Sequence, residues 1–157
     1  MIETDESNNC SYQPVEGRAN LVMPVQPVAN EPPDCTGATA TPAVLWPPNH
    51  KLVTIALGGI SDPDGEAVTL TVTGITQDEP TNGLGDGDKT PDGLGVATST
   101  PQVRAERSGT GNGRVYAITL TAEDGNGGSC TATVTVGVPH DRHDDAVDDG
   151  QNYDATK

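Results

Sequence analysis

Apolar and polar residues alternate along several segments in the middle of the chain. In 68–73 the apolar residues Val, Leu and Val alternate with threonine, and in 131–136 threonine alternates with alanine and valine. A period of two residues places successive side chains on opposite faces of a strand, so this pattern predicts strands with one buried face and one solvated, threonine-rich face. The same criterion predicts strands over 43–46, 52–57, 68–75, 103–106, 114–122 and 130–138.

The segments between these strands carry turn residues and no helical pattern. No segment combines a 3.6-residue apolar period with helix-capping residues. Loops rich in Gly, Asp and Asn separate the strands, and the longest of them runs over 77–99. Short antiparallel strands with frequent turns are typical of two packed sheets. We therefore predict an all-β chain, an immunoglobulin-like antiparallel β-sandwich of about seven strands without significant helix.

The strand pattern also divides the chain into three regions. Residues 1–34 are polar and interrupted by prolines, 35–141 carry the predicted sandwich, and 142–157 are rich in aspartate. Within the first region 19–28 alternates, but Pro24 and Pro27 limit it to an edge strand or an extended arm. We predict an extended arm or linker at 1–34 and an acidic tail or linker at 142–157.

Composition limits which residues can form the core and which partners the chain can bind. A length of 157 residues suits one domain with tails, and a hydrophobic fraction of 32% without Phe requires an aliphatic core. We expect the single tryptophan, Trp46, to cap one end of that core. The net charge of −15 opposes binding to nucleic acid and to anionic membranes, and it favours divalent cations. No apolar run is long enough to span a bilayer, so no membrane insertion is expected.

The cysteines indicate an oxidising compartment. Cys10, Cys35 and Cys130 lack the Cys-x-x-Cys spacing of zinc and redox sites, which leaves a long-range disulfide plus one odd thiol as the simplest interpretation. A bond between Cys35 and Cys130 would close a loop large enough to stabilise the fold by roughly 4 to 5 kcal/mol in the chain-entropy model. Three reduced thiols in a cytosolic protein are the alternative.

Three acidic clusters in the predicted loops are candidates for calcium binding. Ca²⁺ takes roughly six to eight oxygen ligands from carboxylates, amides, main-chain carbonyls and water. Carboxylates held close together repel each other unless a cation or solvent screens them. The alternative is that these are solvated turn residues, because Asp and Gly favour turns in any case. The candidate ligands are Asp62, Asp64 and Glu66 in the first cluster, Asp86, Asp88 and Asp92 in the second, and Glu123, Asp124 and Asn126 in the third.

Several segments together resemble a bacterial extracellular repeat of the hyalin-repeat-like or cadherin-like, immunoglobulin-type class. The resemblance covers about 35–142, and the loop 61–66 (SDPDGE) resembles the calcium-associated loop of bacterial cadherin-like domains. It implies a β-sandwich in a secreted or surface protein, with structural, adhesive or accessory duties and no activity of its own. The segments that carry it are 45–51 (LWPPNHK), 82–88 (NGLGDGD), 104–116 (RAERSGTGNGRVY) and 138–142 (VPHDR).

No catalytic residues are predicted, because the chain lacks the motifs of hydrolases, zinc proteases and nucleotide-binding loops. The sequence favours a calcium-stabilised structural or adhesive module of a bacterial secreted or surface protein, located outside the cell. Its expected partners are neighbouring domains or identical subunits. One alternative is a subunit of an extracellular filament, assembled by strand donation from the N-terminal arm around 21–28. A weaker alternative is a carbohydrate-binding module that uses Trp46 for a glycan or cell-surface ligand.

Overall fold

The computed structural model describes residues 26–83, 85, 87 and 89–157. These residues form nine strands and no helix, and therefore no helix that could cross a membrane. Most of the predicted arm segment 19–28 lies outside the described residues, so the strand-donation alternative stays a prediction. The strands are β1 (Thr39–Thr41), β2 (Leu52–Thr54), β3 (Ala56–Gly58), β4 (Thr69–Gln77), β5 (Gly93–Leu94), β6 (Gln102–Arg104), β7 (Arg114–Glu123), β8 (Ser129–Val138) and β9 (Tyr153–Asp154).

The strands form three antiparallel sheets. The largest has the order β8-β7-β4-β9, and the two smaller ones have the orders β1-β3 and β2-β6-β5. The predicted strand 52–57 is divided into β2 and β3 at Ile55, whose N–H donates to the Pro101 carbonyl oxygen (2.8 Å) while its side chain is fully buried. The prediction of an all-β, immunoglobulin-like sandwich is confirmed.

The core is aliphatic and follows the alternation read from the sequence. Ile75 of β4 lies opposite Ile118 of β7, which lies opposite Val134 of β8, and all three side chains are buried. Burial of each such side chain contributes roughly 1.5 to 3 kcal/mol. On the other face of the same sheet, Thr121 lies between Thr71 and Thr131. The period of two therefore assigns the correct face to the residues of β8. In β4 the phase changes at the bulge between Val72 and Gly74, and in β7 both faces are buried over 114–118.

The predicted strand 43–46 is wrong. Only Val44 makes a bridge there, parallel to Gly137 of β8, through hydrogen bonds of 2.9 Å from Leu45 N–H to the Gly137 carbonyl and from Gly137 N–H to the Ala43 carbonyl. Leu45 is buried in the core, whereas Trp46 is 42% exposed. Trp46 therefore does not cap the core. The short strands β1, β5 and β9 were not predicted.

Part of the segment predicted as an acidic tail or linker is paired with the sandwich. In β9, Tyr153 and Asp154 lie opposite Gln77 and Thr76 of β4, and the next residue, Ala155, is fully buried. The residues before β9 are different in character, because 141–145 and 147–149 are exposed. The aspartates of 142–149 thus lie in an exposed stretch, whereas the last strand of the segment belongs to the sheet.

Cys35 and Cys130 form the disulfide that the sequence suggested. Their Cα atoms are 5.9 Å apart, and 95 residues separate them along the chain. Cys130 lies in β8, where it pairs with Ala122 of β7, and Cys35 lies shortly before β1. The bond therefore joins the beginning of the sandwich to its last long strand. Cys10 lies outside the described residues.

Candidate metal centre

The loop before β4 folds around the carboxylate of Asp62. Asp62 Oδ1 accepts a hydrogen bond of 2.8 Å from the Asp64 N–H, and the Asp62 carbonyl oxygen accepts one of 3.1 Å from the Gly65 N–H. Gly65 has a φ of 82°, in the left-handed region that glycine adopts without steric cost. The sequence Asp-Pro-Asp-Gly-Glu therefore makes a tight turn that places Asp62 and Glu66 on the same side.

The hairpin between β7 and β8 folds in the same way around Asp124. Asp124 Oδ1 accepts hydrogen bonds from the N–H groups of Asn126 (2.7 Å) and Gly128 (2.9 Å). Gly128 is required here, because a Cβ at this position would lie 2.0 Å from Asp124 Oδ2. One carboxylate oxygen, Oδ1, thus organises the hairpin.

The fold brings the two loops together and joins two of the predicted clusters. Carboxylate oxygens of Asp62, Glu66 and Asp124 all lie within 4.8 Å of one another. Asp62 Oδ2 and Glu66 Oε2 are buried and have no hydrogen-bond partner among the described residues. None of the described Lys, Arg or His side chains forms an ion pair with these three acids. Such an arrangement concentrates negative charge that a cation would neutralise.

A third segment, which the sequence placed in the arm, completes the site. The Asn30 side-chain amide donates a hydrogen bond of 2.8 Å to Asp124 Oδ2, and the Glu31 N–H donates one of 2.7 Å to Asp64 Oδ2. Asn126 donates from its amide to Glu66 Oε1. A cleft of about 430 Å³ opens beside these groups, lined by Val28, Asn30, Asp64, Glu66 and Asn126. Sequence reasoning missed Asn30 and Glu31, because nothing local marks residues whose partners lie in distant loops.

Hydrogen bonding keeps the Asp124 carboxylate ionised. The amide of Asn30 contributes most to lowering the pKa of Asp124, and the N–H groups of the hairpin residues 126–128 add to the effect. Each of these donors interacts with the charged form and disfavours protonation. The hydrogen bonds therefore favour the charged carboxylate, the form that can bind a metal ion.

The donor set fits a hard divalent cation. Asp62, Glu66 and Asp124 supply carboxylate oxygens, and Asp64 lies at the edge of the neighbouring cleft. None of the cysteines and histidines that the structure describes belongs to the cluster. Oxygen-only ligand sets suit Ca²⁺ and Mg²⁺, and Ca²⁺ tolerates irregular geometry better. Amide oxygens of Asn30 and Asn126 would join the set if these side chains turned their carbonyl groups toward the ion.

Glu123, a further predicted ligand, does not belong to this cluster. It is exposed and lines a separate cleft with Gly125 and the residues 127–129. Asp86 and Asp88 lie outside the described residues. The predicted third cluster is thus divided: Asp124 and Asn126 face Glu66, whereas Glu123 lies apart from them.

The prediction that Asp92 is a calcium ligand needs correction. Asp92 is fully buried, with Oδ2 2.8 Å from Nη1 of Arg114 and Oδ1 3.6 Å from Nε of Arg104. The amide of Gln77 also donates to Asp92 Oδ2 (2.9 Å). Two guanidinium groups and an amide already compensate this carboxylate, so Asp92 has a structural role in the interior.

Trp46 is exposed beside a shallow cleft of about 290 Å³. Pro42, Pro47, Asn49 and Val53 are among the residues that line it. An exposed indole beside a cleft is compatible with stacking on a sugar, but the cleft contains no charged side chain and no second aromatic ring. The carbohydrate-binding alternative therefore has this single feature in its favour.

Comparison with known proteins assigns the family. A model of the bacterial Ig domain family matches residues 26–137, which include Asn30, both loops of the acidic cluster and both cysteines of the disulfide. Searches of curated proteins and of solved structures found no match. Bacterial Ig domains occur mostly in surface or extracellular proteins and are generally non-catalytic structural modules. The chain belongs to the bacterial Ig domain family.

Proposed function

We propose that the chain is a calcium-stabilised structural or adhesive module of a bacterial secreted or surface protein. The observation that carries the proposal is the convergence of Asp62, Glu66 and Asp124, whose ligand atoms lie within 4.8 Å of one another. Two buried carboxylate oxygens without hydrogen-bond partners in the described part of the chain support it. Buried polar atoms are rarely left unpaired, and a bound cation would satisfy both.

The position of the site suggests what the ion would do. The loop with Asp62, the hairpin with Asp124 and the segment with Asn30 are far apart in the sequence, and each contributes a polar group to the same point. An ion held there would tie the chain that enters the sandwich to two loops at one end of it. The module would then have a fixed direction relative to whatever precedes it, as a spacer or adhesive unit requires.

The disulfide supports a location outside the cell. Disulfides form and persist in oxidising compartments and are rare in cytosolic proteins of mesophiles. The Cys35–Cys130 bond restrains the same entry segment, because Cys35 directly follows Asp34, which pairs with Ser61 at the start of the acidic loop 61–66. Covalent and ionic restraint on one segment suits a protein that works without the protection of the cell interior.

Thermal denaturation with millimolar Ca²⁺ and with chelator tests the proposal. Ca²⁺ at 100 times its dissociation constant should stabilise the fold by about 2.7 kcal/mol. Asp62→Asn and Asp124→Asn should remove most of this difference. The matched control is Asp145→Asn, which changes an exposed aspartate outside the cluster and should keep it. Identical melting curves with calcium and with chelator would contradict the proposal.

A further inference from the structure

A slot between the edges of two sheets is filled by the segment 151–156, which contains β9. The Ala155 N–H donates to the carbonyl oxygen of Ile75 in β4 (3.1 Å). The Ala155 carbonyl oxygen accepts hydrogen bonds from the N–H groups of Asp92 (2.9 Å) and of Gly93 in β5 (2.7 Å). Ala155 is fully buried. A single residue thus connects the edge of the largest sheet to the edge of a smaller one through main-chain hydrogen bonds.

The slot selects a small side chain at this position. A Cβ added to Gly93 would lie 3.0 Å from Ile75 Cγ2 and 3.1 Å from Ala155 Cβ, so Gly93 and Ala155 fit only because both are small. Before Ala155, Tyr153 and Asp154 continue the antiparallel pairing with β4. Main-chain pairing with one selective side-chain pocket is the mode in which sheet edges recognise extended peptides.

The connection that leads to this segment is long and acidic. It runs over 139–152, which gives a maximum span of about 45 to 50 Å in the extended state. A domain of this size has a radius of gyration of roughly 14 Å, so the connection could reach the slot of a neighbouring molecule. Within 141–149 the connection contacts its own sandwich through Ala146 and Asp149, and an exchange would have to release these contacts. Ala146 packs beside Gly113 and Gly137, and Asp149 accepts a hydrogen bond from the Asn112 amide (3.0 Å) and donates one from its N–H to Asp78 (3.3 Å). The remaining side chains of 141–149 are exposed. Like charges extend such a linker, and the aspartates concerned are Asp141, Asp144, Asp145, Asp148 and Asp149.

We propose that this slot can release its own strand and bind the same strand of another molecule. The bound strand would be the segment 151–156 of a second copy of the chain. An exchanged strand makes the same contacts as the chain's own strand, so the exchange loses little interaction energy. In dilute solution the chain's own, tethered strand occupies the slot, because its effective concentration is about millimolar. Exchange increases when molecules are crowded at a surface or when the tethered strand cannot occupy its own slot. This inference does not depend on calcium binding.

Two full-length variants separate donor from acceptor. Ala155→Trp leaves the slot intact but gives the chain a strand that cannot enter it, and Gly93→Val blocks the slot but leaves the strand intact. Each variant alone should be monomeric in sedimentation velocity, and a mixture should form a one-to-one heterodimer. The control mixes Ala155→Trp with the double variant Gly93→Val/Ala155→Trp. Neither protein in this mixture has a strand that fits the slot, so both should remain monomeric. Folded variants that stay separate after mixing would overturn the proposal.

A second measurement uses the unmodified chain and does not depend on the folding of either variant. A fluorescent peptide of residues 149–157 should bind saturably, with an affinity weakened by competition from the tethered strand. Unlabelled peptide of the same sequence should displace it. The same peptide carrying Ala155→Trp should bind at least tenfold more weakly, because the indole does not fit beside Gly93. Absence of saturable binding at peptide concentrations well above the roughly millimolar effective concentration of the tethered strand would also overturn the proposal.

Discussion

Arg114 and Asp92 form an ion pair of 2.8 Å although neither side chain reaches solvent. Arg114 also pairs with Glu79 (3.1 Å) and donates to the Pro80 carbonyl oxygen (3.2 Å). One guanidinium group at the start of β7 thus holds both ends of the long loop between β4 and β5. A core without phenylalanine is complemented here by a buried polar network.

Removal of one partner of this pair should destabilise the protein severely. Asp92→Ala leaves the Arg114 charge buried and incompletely compensated, which costs roughly 3 to 5 kcal/mol in comparable cases. Urea denaturation followed by circular dichroism measures the free energy of unfolding. The control Asp145→Ala changes an exposed carboxylate and should stay within about 0.5 kcal/mol of the unmodified protein. Equal effects of the two substitutions would show that the buried pair does not support the fold.

The disulfide should account for a large part of the net stability. Replacing both Cys35 and Cys130 by serine, in a Cys10→Ser background, should lower the free energy of unfolding by about 4 to 5 kcal/mol in the chain-entropy model. The closed loop is long, since 95 residues separate the two cysteines, and so the unfolded chain gains much freedom when the bond is absent. The Cys10→Ser single variant is the reference. An unfolding midpoint that stays the same with and without the bond would contradict this expectation.

The long strands could be predicted because their alternation reflects a local rule. The buried and exposed positions of β8 follow the period of two along the whole strand. In β4 the phase changes at the bulge between Val72 and Gly74, and both faces of β7 are buried over 114–118, so the period describes these two strands only in part. The segment 43–46 has a similar apolar pattern, but prolines at 42, 47 and 48 flank it and it pairs at one residue only. Two-residue strands such as β9 are too short to carry a period, and their pairing depends on distant partners.

The candidate site could be predicted in its parts but not in its assembly. Each acidic turn was recognisable, because Asp and Gly in these orders make turns that gather carboxylates. The loop of Asp62 meets the hairpin of Asp124 because both lie at the same end of the sandwich. This arrangement depends on how the strands pair. The hydrogen bond of Asn30 to Asp124 spans 94 residues, and no local signal announces it. Asp92 looked like a loop ligand because the sequence does not show that Arg114 lies opposite it.

A buried glutamate should make stability depend on pH. Burial raises the pKa of Glu106 above its ordinary 4.5, although a hydrogen bond with His50 (3.0 Å) partly opposes the shift. In the folded protein the Glu106 side chain then keeps its proton at pH values where the same side chain of the unfolded chain has lost it. The contribution of Glu106 is therefore most favourable below pH 4.5 and declines as the pH rises through the raised pKa.

The variant Glu106→Gln isolates this contribution. Glutamine keeps an oxygen that can accept a hydrogen bond from His50 and does not titrate. The free energy of unfolding of the unmodified protein minus that of the variant should fall as the pH rises above 4.5. Urea denaturation at a series of pH values measures both quantities. A difference that is constant over the whole series would show that Glu106 titrates alike in the folded and unfolded chains.

The segment that contains Asn30 should become protected when calcium binds. Asn30→Ala removes the amide that holds this segment at Asp124 and that could turn its oxygen toward the ion, so it should weaken calcium binding by about 1 kcal/mol, roughly fivefold. Hydrogen exchange measured by mass spectrometry should show slower exchange over 26–34 with calcium in the unmodified protein and a smaller change in the variant. Asn152→Ala, at an exposed asparagine remote from the cluster, is the matched control. If calcium did not change the exchange rate over 26–34, this segment would not take part in calcium binding.

Isothermal titration of the purified, calcium-free chain with Ca²⁺ shows whether the three carboxylates bind the ion. We expect a saturable binding event centred on Asp62, Glu66 and Asp124, which is abolished by Asp124→Ala and preserved by Asp145→Ala. The Asp124 variant must still be folded by circular dichroism for the comparison to hold. If the unmodified chain shows no saturable heat up to millimolar calcium, or if Asp124→Ala binds as tightly as the unmodified chain, the convergent carboxylates do not form a calcium site.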